Sequence, residues 1–440
     1  MLWKIKQLFI NQNMAPNILV FLSVMVVISI SSAQYGQSNE CCENYCYRID
    51  EQPYLYFGTK TSYQIVYGKK SNQHIVPSLR LCPIRWRWNE SISLDRANDL
   101  TSSGIQELKF LARRYQTRFR ELLTLPYSEQ TYKFQYTNTD RTHDSYQAYI
   151  EGLFNEKAYE AHADVLNEDP LLQKYKNCAK WQEEVDDNPE TLTEYNKFKE
   201  TQEYKDLVRS VFRRLGFKYT LNDSVIEDMY DMCRYEKAWY VMRPSTWCAA
   251  FTKQQLKVLE YAADLIDYYR TGYGNEMNSQ LGCPPLKDLY ERFERTINGS
   301  SFEQKVAVYF THSATIQLFV TAMGLLKDYT PLTADNYYTQ ARRQWRTSSI
   351  APFSANVVAV LYECDQGDKH RVMFFLNENP VDYPGCQVGL CSWQTVSEKL
   401  RNAAQSCNME FCENAAHIKS VSVISFSLTV LSILVVKLIL

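Results

Sequence analysis

The chain has almost no net charge: 48 Lys and Arg stand against 50 Asp and Glu, a balance of −2. No long basic or acidic run disturbs it. A nucleic-acid surface needs clustered cations, so no nucleic-acid partner is expected. Internal repeats and low-complexity linkers are also lacking. With 45% hydrophobic residues over 440 positions, the chain can bury a large core as one large domain or two smaller ones. Its 32 tyrosines are read as amphipathic packing. Among 13 Cys and 6 His there are no two CxxC pairs and no His partners at ligand spacing, so no metal or other cofactor is expected.

Apolar runs long enough to suggest targeting occur only at the ends. Residues 14–33, MAPNILVFLSVMVVISISSA, are apolar from Ile18 to Ile30, and Ser31 and Ala33 suit the −3 and −1 positions of a signal-peptidase site. Lys4 and Lys6 supply a positive flank. Residues 1–33 are expected to be a signal peptide; a retained signal anchor is the alternative, for which the run is short. Residues 421–440, VSVISFSLTVLSILVVKLIL, match a spanning helix in length, with Lys437 the only charge. Asn414, Ala415 and Ala416 before them are small enough for a glycosylphosphatidylinositol anchor attached at Asn414. Residues 414–440 are expected to be that anchor signal, and the short spacer 417–420 keeps a retained tail helix as the alternative. Either tail puts the protein on a membrane through its C-terminus, in the secretory pathway and on the outer face of the plasma membrane. The lumen of the endoplasmic reticulum is the alternative location.

Cysteine usage agrees. An N-terminal group (Cys41, Cys42, Cys46) and a C-terminal group (Cys386, Cys391, Cys407, Cys412) fit an oxidising compartment, and the odd total leaves one thiol without an intramolecular partner. Asn89, Asn222 and Asn298 each head an Asn-x-Ser sequon, a glycosylation acceptor compatible with secretion.

Residues 101–123 place Ile105, Leu108, Leu111, Tyr115, Phe119 and Leu122 at three- and four-residue spacing, which predicts a helix with one apolar face. TYKFQYT at 131–137 alternates as a strand, then passes through NTDRT to a helix predicted over 144–154. From about 158 to 290 the pattern is helical and highly charged, broken at Pro170, Pro189, Pro244 and the GCPP at 282–285. A strand returns at 306–311 with a helix reaching 326, and 356–364 and 371–377 are expected to pair as a hairpin across DQGDKH. The pattern predicts an α/β core carried on residues 34–157 and 291–413, with 158–290 inserted as an all-helical subdomain.

Two strand ends carry candidate chemistry. VYFTHSATIQLFV at 308–320 delivers His312 to a strand-to-helix turn, though a lone histidine on an apolar stretch is commonly a satisfied core residue, and Ser313 alone makes no catalytic pair. Arg141 follows the strand at 131–137. A guanidinium there can grip a phosphate with two parallel hydrogen bonds, or form a surface ion pair with Asp140.

The order of these pieces resembles the histidine acid phosphatases, and among them the multiple inositol-polyphosphate phosphatases. The strings that carry it are CCENYCY at 41–47, FGTKTSY at 57–63, WRWN at 86–89, YKFQYTNTDRTHDSYQAYIEGLF at 132–154 and DPLLQKYKNC at 169–178. GYGNEMNS at 272–279, MGLLKDYTPLTADNY at 323–337, VLYEC at 360–364 and FLNENPV at 375–381 extend it over nearly all of the chain after residue 33. The resemblance implies a histidine-phosphatase-like three-layer α/β core and a phosphomonoesterase acting on phytate-like inositol phosphates, with bisphosphoglycerate as a further candidate. It implies a phosphohistidine intermediate and no metal. In that family an Arg-His-Gly-x-Arg motif supplies the nucleophilic histidine and two arginines. A third arginine matches Arg141, a second histidine matching His312 contacts the phosphoryl group, and an acid two residues later protonates the leaving oxygen.

This chain departs from that pattern twice. It contains no Arg-His-Gly; between Val76-Pro77 and Leu81-Cys82, where the family carries that segment, stand only Ser78, Leu79 and Arg80. His74 precedes the junction in a polar stretch, and His143, His162, His370 and His417 have no suitable context, so the nucleophile is unassigned. The family's His-Ala-Glu-Thr reads His312-Ser313-Ala314-Thr315 here, which puts a methyl group at the proton-donor position. Losing a general acid costs about 10²–10⁴-fold, and losing the nucleophile removes the covalent route. The expectation is an impaired or inactive phosphatase that keeps Arg141 and His312 as phosphoryl contacts; the alternative is a catalytically dead inositol-phosphate-binding protein of the cell surface. Since the family's missing segment holds a central strand, part of the core is expected to be lost with it.

Overall fold

The computed structural model describes residues 99–241, 245–300, 303–364, 367–386 and 389–412. The expected signal peptide, Asn89, the junction at 76–82 and the tail with Asn414 lie outside them. No helix among the described residues is long and apolar enough to cross a membrane.

Helix α1 (Ser102–Arg118) starts at Thr101, whose hydroxyl accepts from the Gly104 N–H at 3.2 Å. Leu108, Leu111, Ala112 and Tyr115 fall on one face and are buried, as their spacing predicts. Strand β1 (Tyr132–Thr137) leads into α2 (Asp140–Phe154), which lies against α1. The approach is close because residue 152 is glycine: a Cβ there would stand 2.8 Å from the Ala112 Cβ and 2.9 Å from the Lys109 Cα. Helix α2 begins one turn earlier than predicted, directly after the extended Thr139, so Arg141 occupies a helix's first turn and not a strand end.

Strand β2 (Asp164–Leu166) corrects the expectation of unbroken helix from 158. It is a three-residue exposed strand, too short to show alternation, and it pairs in parallel with the end of β1. The main helices that follow are α3 (Gln202–Arg214), α4 (Ser224–Trp239), α5 (Lys253–Arg270) and α6 (Cys283–Ile297). Their core is aromatic, with Phe198, Tyr204, Phe212, Phe251 and Tyr261 nearly inaccessible. Strand β3 (Val306–Phe310) then returns to β1 and pairs with it in parallel on the side opposite β2, and helix α7 (Ser313–Ala322) leaves it.

The expected hairpin is present: β4 (Val357–Glu363) and β5 (His370–Leu376) are antiparallel, with Val357 opposite Leu376 and Glu363 opposite His370. Strands β6 (Asn379–Val381) and β7 (Leu390–Ser392) also pair with β5, and helix α8 (Trp393–Gln405) packs on that sheet and on α6. The fold is thus the α/β core with helical subdomain that the sequence leads one to expect. Among the described residues β3 pairs only with β1 and β4 only with β5, so the two sheets stay separate.

Among the described residues four disulfides join Cys178–Cys412, Cys233–Cys248, Cys283–Cys407 and Cys386–Cys391. Cys364, at the end of β4, is the one described cysteine outside them. Asn222 and Asn298, the two described sequons, are exposed.

Candidate active site

Parallel strands end on the same side, and chains that turn into helices there bring helix N-termini together, with their partial positive charge facing outward. Strands β1 and β3 are in register from Tyr132 opposite Val306 to Tyr136 opposite Phe310, so their carboxyl ends lie side by side. Thr139 begins α2 and His312 begins α7 at that edge. The two candidate residues, 171 positions apart in sequence, meet there.

The Arg141 guanidinium donates to His312 Nδ1, at 3.3 Å from Nε and 2.9 Å from Nη2. An Nδ1 that accepts from arginine carries no proton, which puts the ring proton on Nε2. Nε2 lies 3.1 Å from Thr137 Oγ1 and donates to it. That hydroxyl passes its own hydrogen to Thr142 Oγ1 at 3.2 Å, and the Thr142 hydroxyl lies against the Thr137 and Thr139 carbonyls. His312 and Arg141 are only 2% and 6% exposed, so a surface pair between Arg141 and the exposed Asp140 gives way to this buried contact. Burial first, then the charges of Arg141 and Lys176, hold His312 well below the usual histidine range; the imidazole is neutral near pH 7. Burial also lowers the proton affinity of Arg141, without depriving so strong a base of its charge at neutral pH.

Ala314 is the second residue of α7, and the first turn of that helix holds no acidic residue. Over this turn runs the segment after β2. Asp169 shapes it, accepting from the Leu171 and Leu172 N–H groups at 2.9 and 2.8 Å and from Gln135 Nε2 at 2.7 Å. The Leu172 carbonyl then accepts from Thr315 and Thr311 at 2.6 and 3.2 Å. Burial pushes the Tyr175 phenol, in the same segment, up to about 12.

Thr137, Tyr175 and Lys176 were not legible as site residues. Threonine ending a strand is unremarkable in sequence, and DPLLQKYKNC marks a matching segment without saying which side chains face α7. The remaining described histidines stay away from the pair: His143 is exposed beside Asp144, His162 is exposed, and His370 starts β5.

The fold and this edge define a class: α/β proteins in which neighbouring parallel strands give way to helices at one shared edge. Within it, the chain belongs to the histidine phosphatase superfamily, branch 2, whose family model matches residues 81–377. It is similar to multiple inositol polyphosphate phosphatase 1 of Drosophila melanogaster, 37% identical over 353 residues, covering 80% of this chain and 74% of the relative. In fold it is similar to the phytase from D. castellii, with a TM-score of 0.64 at 18% identity over 90% of this chain and 88% of that one. The Bifidobacterium longum multiple inositol polyphosphate phosphatase in complex with inositol hexasulfate gives 0.57 at 14% identity, over 87% and 97%.

Proposed function

We propose that this chain is an inositol-polyphosphate receptor built on a phosphatase fold, with hydrolysis lost or strongly reduced. The observation that carries it is the buried meeting of Arg141 and His312 between two helix N-termini. Membership of a phosphatase family supports phosphomonoesters as the ligand class. The fly relative's name and the inositol hexasulfate bound by the bacterial one support inositol phosphates within that class. Reduced turnover is supported by the sequence, which has no Arg-His-Gly and a methyl group at position 314. His312 is no substitute nucleophile, because both ring nitrogens are engaged by Arg141 and Thr137.

Calorimetric titration with inositol hexakisphosphate, alongside a phosphate-release assay, tests this reading. The expected result is saturable binding without release above the blank. Arg141→Met is expected to weaken binding at least tenfold, since a charge-assisted hydrogen bond contributes about 1.5–3 kcal/mol. Sustained release by the unaltered chain overturns the receptor reading in favour of a hydrolase, and Ala314→Glu then raises the rate.

The same proposal places the protein in an oxidising compartment and on a membrane through residues 414–440, which the four disulfides support as far as the compartment goes. Release from cells by a phosphatidylinositol-specific phospholipase is expected; retention after that treatment argues for a tail helix.

A further inference from the structure

Helix α7 brings His312 to Arg141, and its sequence, SATIQLFVTA, is apolar apart from small hydroxyls and one residue. That residue is Gln317, which is only 3% exposed. A long amide beside the buried Leu318 and Val320 is costly unless both its ends are satisfied. Both are. Its Nε2 donates to the Asp267 carboxylate at 3.2 Å, and its Oε1 accepts from the Thr271 hydroxyl. Asp267 and Thr271 stand one turn apart at the end of α5. One turn further along α7, the Thr321 hydroxyl donates to the Thr271 carbonyl at 3.1 Å.

Apolar contacts have no direction, so leucine and valine alone leave a helix free to slide or turn on its neighbours. Hydrogen bonds do have one. A slip of one residue moves a helix by about 1.5 Å along its axis and turns it by about 100°, which breaks both Gln317 bonds. His312 travels with the helix, because its carbonyl accepts from the Ile316 N–H at 3.3 Å. The same slip therefore takes Nδ1 out of its 2.9 Å contact with Arg141 Nη2. The Thr311 and Thr315 hydroxyls do not prevent this, since their acceptor, the Leu172 carbonyl, belongs to a connecting segment and not to a long helix.

We propose that Gln317 is a positioning residue of the anion site: by bridging Asp267 and Thr271 it sets the register of α7 on α5 and so holds His312 against Arg141. Its bearing on ligand binding rests on the receptor reading above. Gln317 itself touches neither Arg141 nor His312 and acts only through the helix.

The test uses the full chain, with histidine rings labelled for NMR and the His312 signal identified by its loss in His312→Gln. Inositol hexasulfate serves as the anion. Gln317→Met keeps the length of the side chain and removes both hydrogen bonds. It is expected to move the His312 titration up towards the ordinary histidine range, as the ring leaves Arg141 and meets water. Hexasulfate binding is expected to weaken about three- to tenfold, as loss of a hydrogen bond does. Gln317→Glu sets a second carboxylate against Asp267 and is expected to act in the same direction. Combined with Asp267→Asn it restores both bonds, with donor and acceptor exchanged and the total charge unchanged, and both readouts are expected to return to the parent's values. Single variants that lose melting temperature while the His312 titration stays put overturn the assignment. So does a double variant that regains melting temperature without regaining the titration. A parent chain that binds no hexasulfate overturns the receptor reading, and the His312 titration then still decides the role of Gln317.

Discussion

His312 commits both ring nitrogens inside the protein, and that single fact decides what it can do. Thr137→Val removes the acceptor for its Nε2–H and leaves a buried donor unsatisfied, which is expected to cost about 1–3 kcal/mol, read as a lower urea midpoint. The neutral imidazole also makes binding sensitive to pH. An anion beside it opposes the effect of burial and of the two cations, so the proton affinity of His312 rises in the complex. Between the free and bound values the complex holds more protons, and affinity for an anion rises as pH falls through that window. Inositol hexasulfate does not itself titrate there, so proton uptake measured in buffers of different ionisation heat belongs to the protein, and His312→Gln is expected to abolish it. Arg141 and His312 were legible as candidates chiefly through the family resemblance, since residue type alone left each with an ordinary structural reading. The tautomer was not, because it depends on Thr137 and Arg141 arriving from another strand and another helix.

Helix α2 carries Arg141, and its placement depends on a residue without a side chain. Gly152→Ala puts a methyl group into the Lys109 and Ala112 turn of α1, so the two helices must separate. Overpacking of this kind is expected to cost about 1–3 kcal/mol in chemical denaturation. It is also expected to weaken anion binding, since Arg141 moves with its helix while His312 stays on α7. Helix faces and the β4–β5 hairpin were readable because their periodicity extends over many residues. Strand β2 and the first turn of α2 were not: Asp164–Leu166 is too short to alternate, and Asp140 to His143 carry no apolar pattern. Only pairing with β1 reveals the former, and only the extended Thr139 ahead of it reveals the latter.

At the scale of the whole molecule, a group far from the site makes stability depend on pH. Lys237 on α4 is buried, with its ammonium donating to the Val241 carbonyl at 3.1 Å, and burial pulls its proton affinity down to about 6 from 10.5. Between those values the unfolded chain holds a proton that the folded chain has given up. Stability therefore rises with pH across that window, by up to about 1.4 kcal/mol per pH unit, and is lowest below it. Lys237→Met is expected to flatten the dependence, with its largest advantage over the parent near pH 6; urea midpoints at pH 6, 7.5 and 9 check this. Overall architecture followed from the alternation of strands and helices. The order β2-β1-β3 did not, because the partners of a parallel strand lie far off in sequence: β1 and β3 are separated by the whole helical subdomain.

The Cys178–Cys412 bond joins the turn that carries Lys176 to the last described segment, 234 residues further on. At a synthesis rate of about 5–20 residues per second, the two cysteines emerge roughly 10–50 seconds apart. For that interval the first thiol waits, open to mispairing with any cysteine made in between. The site over α7 is therefore among the last parts of the protein to be finished, and a chain stopped short of Cys412 leaves the ribosome with its pocket unsecured.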